Sequence, residues 1–250
     1  MQEEVFLNLN WNFIRSLFNL DLGYTNNKPD IFQAVAESCL DNRKLGEVRK
    51  MILSDASLIH ARQGSNGSTP LFIACMWGDT RTAQLLIDYG ANVNVRNFRG
   101  ETPLHAATWE GKLNAMLLLI REGAYLEMPS TPARKTALHE AVYKGNIETI
   151  KLLLENGAFI NPEDADGYTP LHYACRNGTD NIAVFLLASG ADAGVKDADG
   201  YTPLKYAIEN EMEVVVTWYR VHHTEIYEEE LARAKDAQNE ERGTGFFVSP

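Results

Sequence analysis

The middle of this sequence repeats itself every 33 or 34 residues. The triplet Thr-Pro-Leu, or a close variant, begins at Thr69, Thr102, Thr136, Thr169 and Thr202, at intervals of 33, 34, 33 and 33 residues. An alanine follows each threonine by five positions, and a glycine follows the first four by nine. A fixed period of this length predicts a stack of similar units, because one such unit is too small to bury its apolar face alone.

Each repeated residue type indicates one feature of a helix. Threonine is a favoured N-cap, and proline is tolerated at the first helical position. Leucine and alanine, two and five positions after the threonine, lie on one face, and glycine ends the helix. A second helix then carries a Leu-Leu or similar pair up to a Gly-Ala step. Turn dipeptides such as Asp166-Gly167 and Asp199-Gly200 separate the units. We therefore expect helix-turn-helix units joined by tight turns.

The pattern resembles the ankyrin-repeat family. The signature T-P-L-H-x-A is complete at residues 102–107 and 169–174, and it has one or two changes in the other three units. The resemblance implies an all-α solenoid of helix-turn-helix units with β-hairpin-like connecting fingers. It also divides the chain. We expect five repeats over residues 65–223, a degenerate N-terminal capping repeat over 28–64 with its first helix at 31–40, an apolar segment at 1–27, and an acidic C-terminal helix and tail at 224–250.

Two units depart from the pattern. The third lacks the turn glycine and has Pro132-Ala133-Arg134-Lys135 in its place, which predicts an irregular finger. In the last unit Lys205 replaces histidine and Glu211 replaces glycine, while Trp218 takes a leucine position and is a candidate to cover the open end of the stack. The charged stretch that follows, 224–242, predicts a solvated helical extension.

Charge and composition exclude several classes of protein. The 34 acidic and 23 basic residues give a net charge of −11, which disfavours nucleic acid and anionic membranes as partners. No run of about 18 apolar residues is present to span a membrane. The first residues are acidic where a secretory signal is basic, and the three cysteines have no metal or redox spacing. We therefore expect a protein of the cytoplasm or the nucleus.

The sequence contains no pattern that indicates catalysis. We find no nucleophile elbow, phosphate-binding loop or zinc-protease motif, so we predict no enzyme activity, no cofactor and no bound metal. His105, His139 and His172 recur at the same position of the signature, but repeats stacked about 10 Å apart hold them too far from one another to share a metal ion. We expect these histidines to be hydrogen-bonded structural groups, as the resemblance also implies.

Large and charged residues occupy the variable positions of the units. In the family, the fingers and the ends of the first helices line a concave surface, so the resemblance implies that variable residues there face a ligand. Large aromatics are common among binding hot spots. The residues that we predict to contact a partner are Met76, Trp77, Phe98, Arg99, Trp109, Glu110, Tyr143, Lys144, Tyr168, Arg176 and Tyr201. The alternative is that these aromatics only pack against neighbouring helices.

Two functions follow from this organisation. The first is an adaptor or scaffold that binds one protein, whose contact segment is apolar and partly basic, through the concave aromatic face. The second is a structural subunit of a larger complex, anchored through residues 1–27 and 224–250. The resemblance also implies candidate hydroxylation sites at Asn94 and Asn161, which follow the second helix of their units.

Overall fold

The structure is a computed structural model that describes residues 30–243. The predictions for residues 1–27 and for the end of the tail lie outside these residues. The described chain forms two compact units that divide between Pro132 and Ala133. All of its regular elements are helices, apart from one isolated bridge between Gln63 and Ser68, so the all-α prediction is confirmed.

The first unit contains three helix pairs. The pairs are α1 (Ile31–Leu40) with α2 (Leu45–Ser54), α3 (Pro70–Trp77) with α4 (Thr80–Asp88), and α5 (Pro103–Trp109) with α6 (Leu113–Arg121). Short 3-10 helices at Asn42–Lys44 and Ala56–His60 lie before and after α2. Helix α3 packs against both α1 and α5, so the first helices of the pairs form the centre of this unit.

The second unit contains three helix pairs and one further helix. The pairs are α7 (Ala137–Tyr143) with α8 (Ile147–Glu155), α9 (Pro170–Arg176) with α10 (Asp180–Ala188), and α11 (Pro203–Glu209) with α12 (Glu213–His222). Helix α13 (Thr224–Gly243) follows α12 after a single residue, His223. Helix α9 packs against α7 and α11, as α3 does against its neighbours in the first unit.

The repeated residues do what the sequence predicts. A threonine N-caps each of the helices α3, α5, α7, α9 and α11. The alanine five positions later is fully buried in all five units, which lets neighbouring helices approach closely. Gly78 ends α3 in the left-handed conformation with a φ of 77°. In the last unit Glu211 adopts the same conformation with a φ of 54°, in the place of that glycine.

The fingers are joined to one another by backbone hydrogen bonds. Within the second unit, the Ala165 amide donates to the Ala133 carbonyl at 3.0 Å, and the Ala198 amide donates to the Asp166 carbonyl at 2.9 Å. The finger that carries Arg134 is irregular, as predicted. It contains a cis peptide bond before Pro132, and Arg134 has a φ of 55°.

The C-terminal helix corrects one prediction. The charged sequence of residues 224–242 predicts a solvated extension, but α13 packs against α11 and α12, and Glu230 is only 4% exposed. Trp218 is half-buried on α12, where its ring stacks on His222 with centroids 4.7 Å apart. The first half of α13 is therefore part of the second unit.

Candidate functional site

The recurring histidines are structural, as predicted. His139 and His172 each accept from the backbone N–H of the capping threonine at Nδ1, at 3.2 Å and 3.1 Å. Because an amide can only donate, Nδ1 is the acceptor and the proton is on Nε2. Each Nε2 then donates to a carbonyl of the next finger, His139 to Tyr168 at 2.9 Å and His172 to Tyr201 at 3.2 Å.

Burial keeps these histidines neutral. It lowers the pKa of both His139 and His172 from the ordinary value of 6.5, and this effect outweighs the hydrogen bonds and carboxylates that favour the charged form. His105 in the first unit caps Thr102 in the same way, with Nδ1 3.2 Å from the threonine nitrogen. His139 and His172 therefore join their helices to the next finger, and His105 caps the helix of its own repeat.

Five tyrosines of the second unit are joined by ring contacts or by shared lysine contacts, and we call this set the tyrosine platform. Its members lie at the ends of the fingers and along the first helices, and they are Tyr143, Tyr168, Tyr173, Tyr201 and Tyr206. Tyr173 packs edge-on against Tyr143 and Tyr168, with centroids 6.3 Å and 5.8 Å apart. Tyr168 lies 5.7 Å from Tyr206, and their hydroxyl oxygens are 3.0 Å apart.

Two buried carboxylates hold the platform in place. The Tyr173 hydroxyl donates to Asp164 at 2.7 Å, and the Tyr206 hydroxyl donates to Asp197 at 2.6 Å. The second carboxylate oxygen of each aspartate accepts two backbone amides of its own finger. Burial, followed by the bond to aspartate, raises the pKa of both tyrosine hydroxyls. The hydroxyls therefore stay protonated, and the rings are fixed.

Cations lie over the platform rings. Lys135 is 4.7 Å from the centroid of the Tyr173 ring, and Arg176 is 5.4 Å from that of Tyr168. Lys205 is 4.3 Å from the ring of Tyr201. Cation–π contacts of this kind stabilise exposed side chains by about 0.5–1 kcal/mol. They hold long, charged side chains against the aromatic surface.

The structure brings together four of the residues predicted for this surface. Tyr143 is 51% exposed and Arg176 is also exposed, while Tyr168 and Tyr201 are half-buried. Lys144, which is exposed, follows Tyr143 directly at the end of α7. In the second unit, four of the predicted residues therefore belong to one connected set of side chains, and their contact with a partner stays a prediction.

The remaining predicted partner contacts lie in the first unit. Phe98 and Trp109 are 66% and 42% exposed, Arg99 and Glu110 are exposed, and Met76 and Trp77 are half-buried. The Phe98 amide donates to the Asn66 carbonyl at 2.7 Å, and the Arg62 guanidinium lies 5.6 Å from the centroid of the Phe98 ring. Phe98 is thus held at a fingertip with most of its ring open to solvent.

Sequence analysis did not predict Tyr173 and Tyr206 as parts of the site. Both occupy the variable position directly before the buried alanine, and they are 33 residues apart. The other repeats have Ile73, Ala106 and Glu140 there. The signal that identifies the two tyrosines is an aspartate nine residues earlier in both units, which is the acceptor of each hydroxyl.

Asn94 and Asn161 make hydrogen bonds between repeats. Asn94 donates from Nδ2 to the Gly123 carbonyl at 3.0 Å and accepts the Tyr125 amide at 2.8 Å. The Asn161 side-chain oxygen accepts the Asp192 amide at 3.0 Å. Both are partly exposed. These bonds give the two asparagines a structural role, and hydroxylation stays a prediction.

Residues 30–243 show neither a metal-binding cluster nor a membrane-spanning helix. No group of three or more His, Cys, Asp or Glu side chains in this range is arranged to hold a metal ion. Within the same range, no helix has the length and apolar character needed to cross a membrane.

Comparison with known proteins is consistent with this architecture. The family model described as ankyrin repeats (3 copies) matches residues 32–130 and 138–218. The chain is 40% identical over 70 residues to the inactive serine/threonine-protein kinase TEX14 of Bos taurus, a match that covers 28% of this chain and 5% of the relative. It is 44% identical over 45 residues to Rabankyrin-5 of Homo sapiens, covering 18% and 4%.

A third relative is a subunit of a complex. The chain is 39% identical over 61 residues to the target of rapamycin complex 2 subunit AVO2 of Saccharomyces cerevisiae, covering 24% of this chain and 14% of the relative. The chain thus matches only a small part of the length of each of these proteins.

Proposed function

Because the chain belongs to the ankyrin-repeat family, whose repeats are generally protein-protein interaction modules, we propose that it is a non-enzymatic adaptor that binds a partner protein through the tyrosine platform. The single observation that carries this proposal is that the accessible rings of the platform pack on rings that are buried and fixed. Tyr143 is half exposed, while Tyr173 and Tyr206 are anchored to aspartates.

A fixed aromatic surface favours binding for an entropic reason. Side chains that become ordered on binding each cost about 0.5–1.5 kcal/mol, and this cost falls when the free protein already holds them in place. Tyrosine also offers a large rigid contact area with only two rotatable bonds, which is why it is common in antibody binding sites. The platform combines both properties.

The platform rings carry Lys135, Arg176 and Lys205, so it is the exposed carboxylates at the fingertips that favour basic side chains in an otherwise apolar partner segment. Asp166 and Asp199 are exposed at the fingertips, two residues before Tyr168 and Tyr201 in sequence. A basic side chain of the partner would meet these carboxylates while an apolar neighbour packs on the rings. In the first unit, the exposed rings of Phe98 and Trp109 offer a second contact surface.

The test is a binding series with the partner that the full chain captures from extract, identified by crosslinking mass spectrometry and then purified. Tyr143→Ala should raise Kd about 30-fold, because truncation of a hot-spot residue costs about 2 kcal/mol or more. The matched control is Phe159→Ala, which removes an aromatic that is 69% exposed in the same unit but outside the platform. An equal effect of the two changes contradicts the proposal.

The structure gives no support to anchoring through the C-terminal helix. The first half of α13 is docked on the repeats of its own chain, so it is not a free arm for another subunit. We therefore make the adaptor our proposal.

A further inference from the structure

The last repeat lacks the histidine that caps the three repeats before it, and another residue makes the same hydrogen bonds. In the preceding repeat, Nδ1 of His172 lies 3.1 Å from the Thr169 nitrogen and 2.8 Å from its hydroxyl. In the last repeat, Oε1 of Glu230 from α13 lies 3.2 Å from the Thr202 nitrogen and 2.9 Å from its hydroxyl. Lys205 has the histidine position in sequence.

These bonds end a chain of hydrogen bonds that runs through the second unit. His139 donates to the Tyr168 carbonyl, and the amide of the same peptide group, at Thr169, donates to His172. His172 donates to the Tyr201 carbonyl, and the amide of that peptide group, at Thr202, donates to Glu230. All donors point the same way, so each bond polarises the next, and a carboxylate is a favourable final acceptor.

The same helix contacts the last finger at Gly200 and the residue just before the finger, Lys196. The Arg233 guanidinium donates to the Gly200 carbonyl at 2.9 Å, and Lys196 forms an ion pair with Glu229 at 3.0 Å. The side chains of this ion pair are 44% and 50% exposed, and that of Arg233 is 41% exposed. Exposed ion pairs contribute little to stability and weaken with salt.

We propose that α13 is a latch that orders the last finger, residues 197–201, with Glu230 as a positioning residue in the role that histidine has in the earlier repeats. When α13 is docked, the peptide group between Tyr201 and Thr202 is held on both sides, by His172 and by Glu230. When α13 is released, the Thr202 amide and the Gly200 carbonyl lose their partners. Docking of α13 therefore orders the part of the platform that contains Tyr201. The functional importance of this ordering rests on the proposed function.

Hydrogen exchange of the full chain without a partner tests the latch. Glu230→Ala should speed exchange of the amides at 199–202 about tenfold, because the Thr202 amide loses its acceptor. The equivalent amides at 166–169 belong to the preceding finger and serve as the internal reference, since global destabilisation would move both sets. Glu228→Ala, at an exposed neighbour on α13, is the control variant and should leave both sets unchanged.

A rescue variant separates this role from general stability. Lys205→His placed in the Glu230→Ala chain restores the histidine of the repeat signature, and it should bring exchange at 199–202 back to within about threefold of the original rate. Unchanged exchange in Glu230→Ala, or failure of Lys205→His to slow it, overturns the proposal. These exchange measurements contain no partner, so their outcome does not affect the proposed function. The proposed function is tested separately by the Kd series with Tyr143→Ala.

Discussion

His172 donates from Nε2 to the backbone carbonyl of Tyr201 at 3.2 Å and so ties one repeat to the finger of the next. The side chain is fully buried, and its Nδ1 also accepts from Thr169. Such a residue holds together two repeats at once. Replacing His172 should therefore lower the free energy of unfolding.

We expect His172→Phe to lower the free energy of unfolding by about 2–4 kcal/mol, because buried polar groups on two repeats lose their partners. Urea unfolding followed by circular dichroism measures this change. His60→Gln, at an exposed position in the first unit, is the control and should stay within about 0.5 kcal/mol of the parent chain. A change below about 0.5 kcal/mol for His172→Phe would mean that the hydrogen bonds of this side chain contribute little to the free energy of unfolding.

Stability should fall on acidification from pH 6.5 downwards. The pKa of His139 and His172 is lowered in the folded chain, whereas both return to about 6.5 on unfolding. The unfolded chain thus binds more protons below pH 6.5, and the slope reaches about 1.4 kcal/mol per pH unit for each histidine. Urea unfolding at pH 7.5, 6.5 and 5.5 measures this change in stability. NMR titration of the folded protein gives the pKa of each ring, and values at or above 6.5 would refute the prediction.

Tyr206→Phe should destabilise the second unit by about 1–3 kcal/mol, because Asp197 loses a buried hydroxyl donor at 2.6 Å. The matched control is Tyr125→Phe, whose ring is 63% exposed in the first unit and whose change should be close to neutral. Thermal unfolding of both variants gives the comparison. Equal melting temperatures would mean that the platform is not anchored through this bond.

Asn94→Ala should cost about 1 kcal/mol, because the side chain bridges the Gly123 carbonyl and the Tyr125 amide of the next repeat. Asn114→Ala is the control, since this exposed asparagine lies inside α6, where alanine is the better helix former. Chemical denaturation of the two variants measures the difference. Intact mass of the native protein tests hydroxylation separately, because an unmodified mass contradicts it.

The sequence predicts the repeats well because the residues that define them act locally. The capping threonine and the buried alanine make the same contacts in every repeat. The positions of the helices in one repeat therefore predict those in the others. Glu230 could not be predicted in this way. It caps Thr202 from 28 residues away and from outside the repeated pattern, and its helix has too few apolar residues to indicate a packed face.

The platform was predicted only in part for a related reason. Tyr143, Tyr168 and Tyr201 occupy positions where the family resemblance implies exposure. Tyr173 and Tyr206 occupy a position that holds isoleucine or alanine in the first unit, so the sequence pattern there indicates packing. The aspartate nine residues before each tyrosine is visible in the sequence, but its bond to the hydroxyl depends on how the finger folds back over the helix.

The most direct test of the central claim is a hydrogen-exchange comparison of the full chain with and without its purified partner. The account predicts that binding protects the fingertips at 166–168 and 199–201 and the end of α7 at Tyr143. Protection confined to residues elsewhere, such as Phe159 or helix α12, with these three segments unchanged, would contradict it.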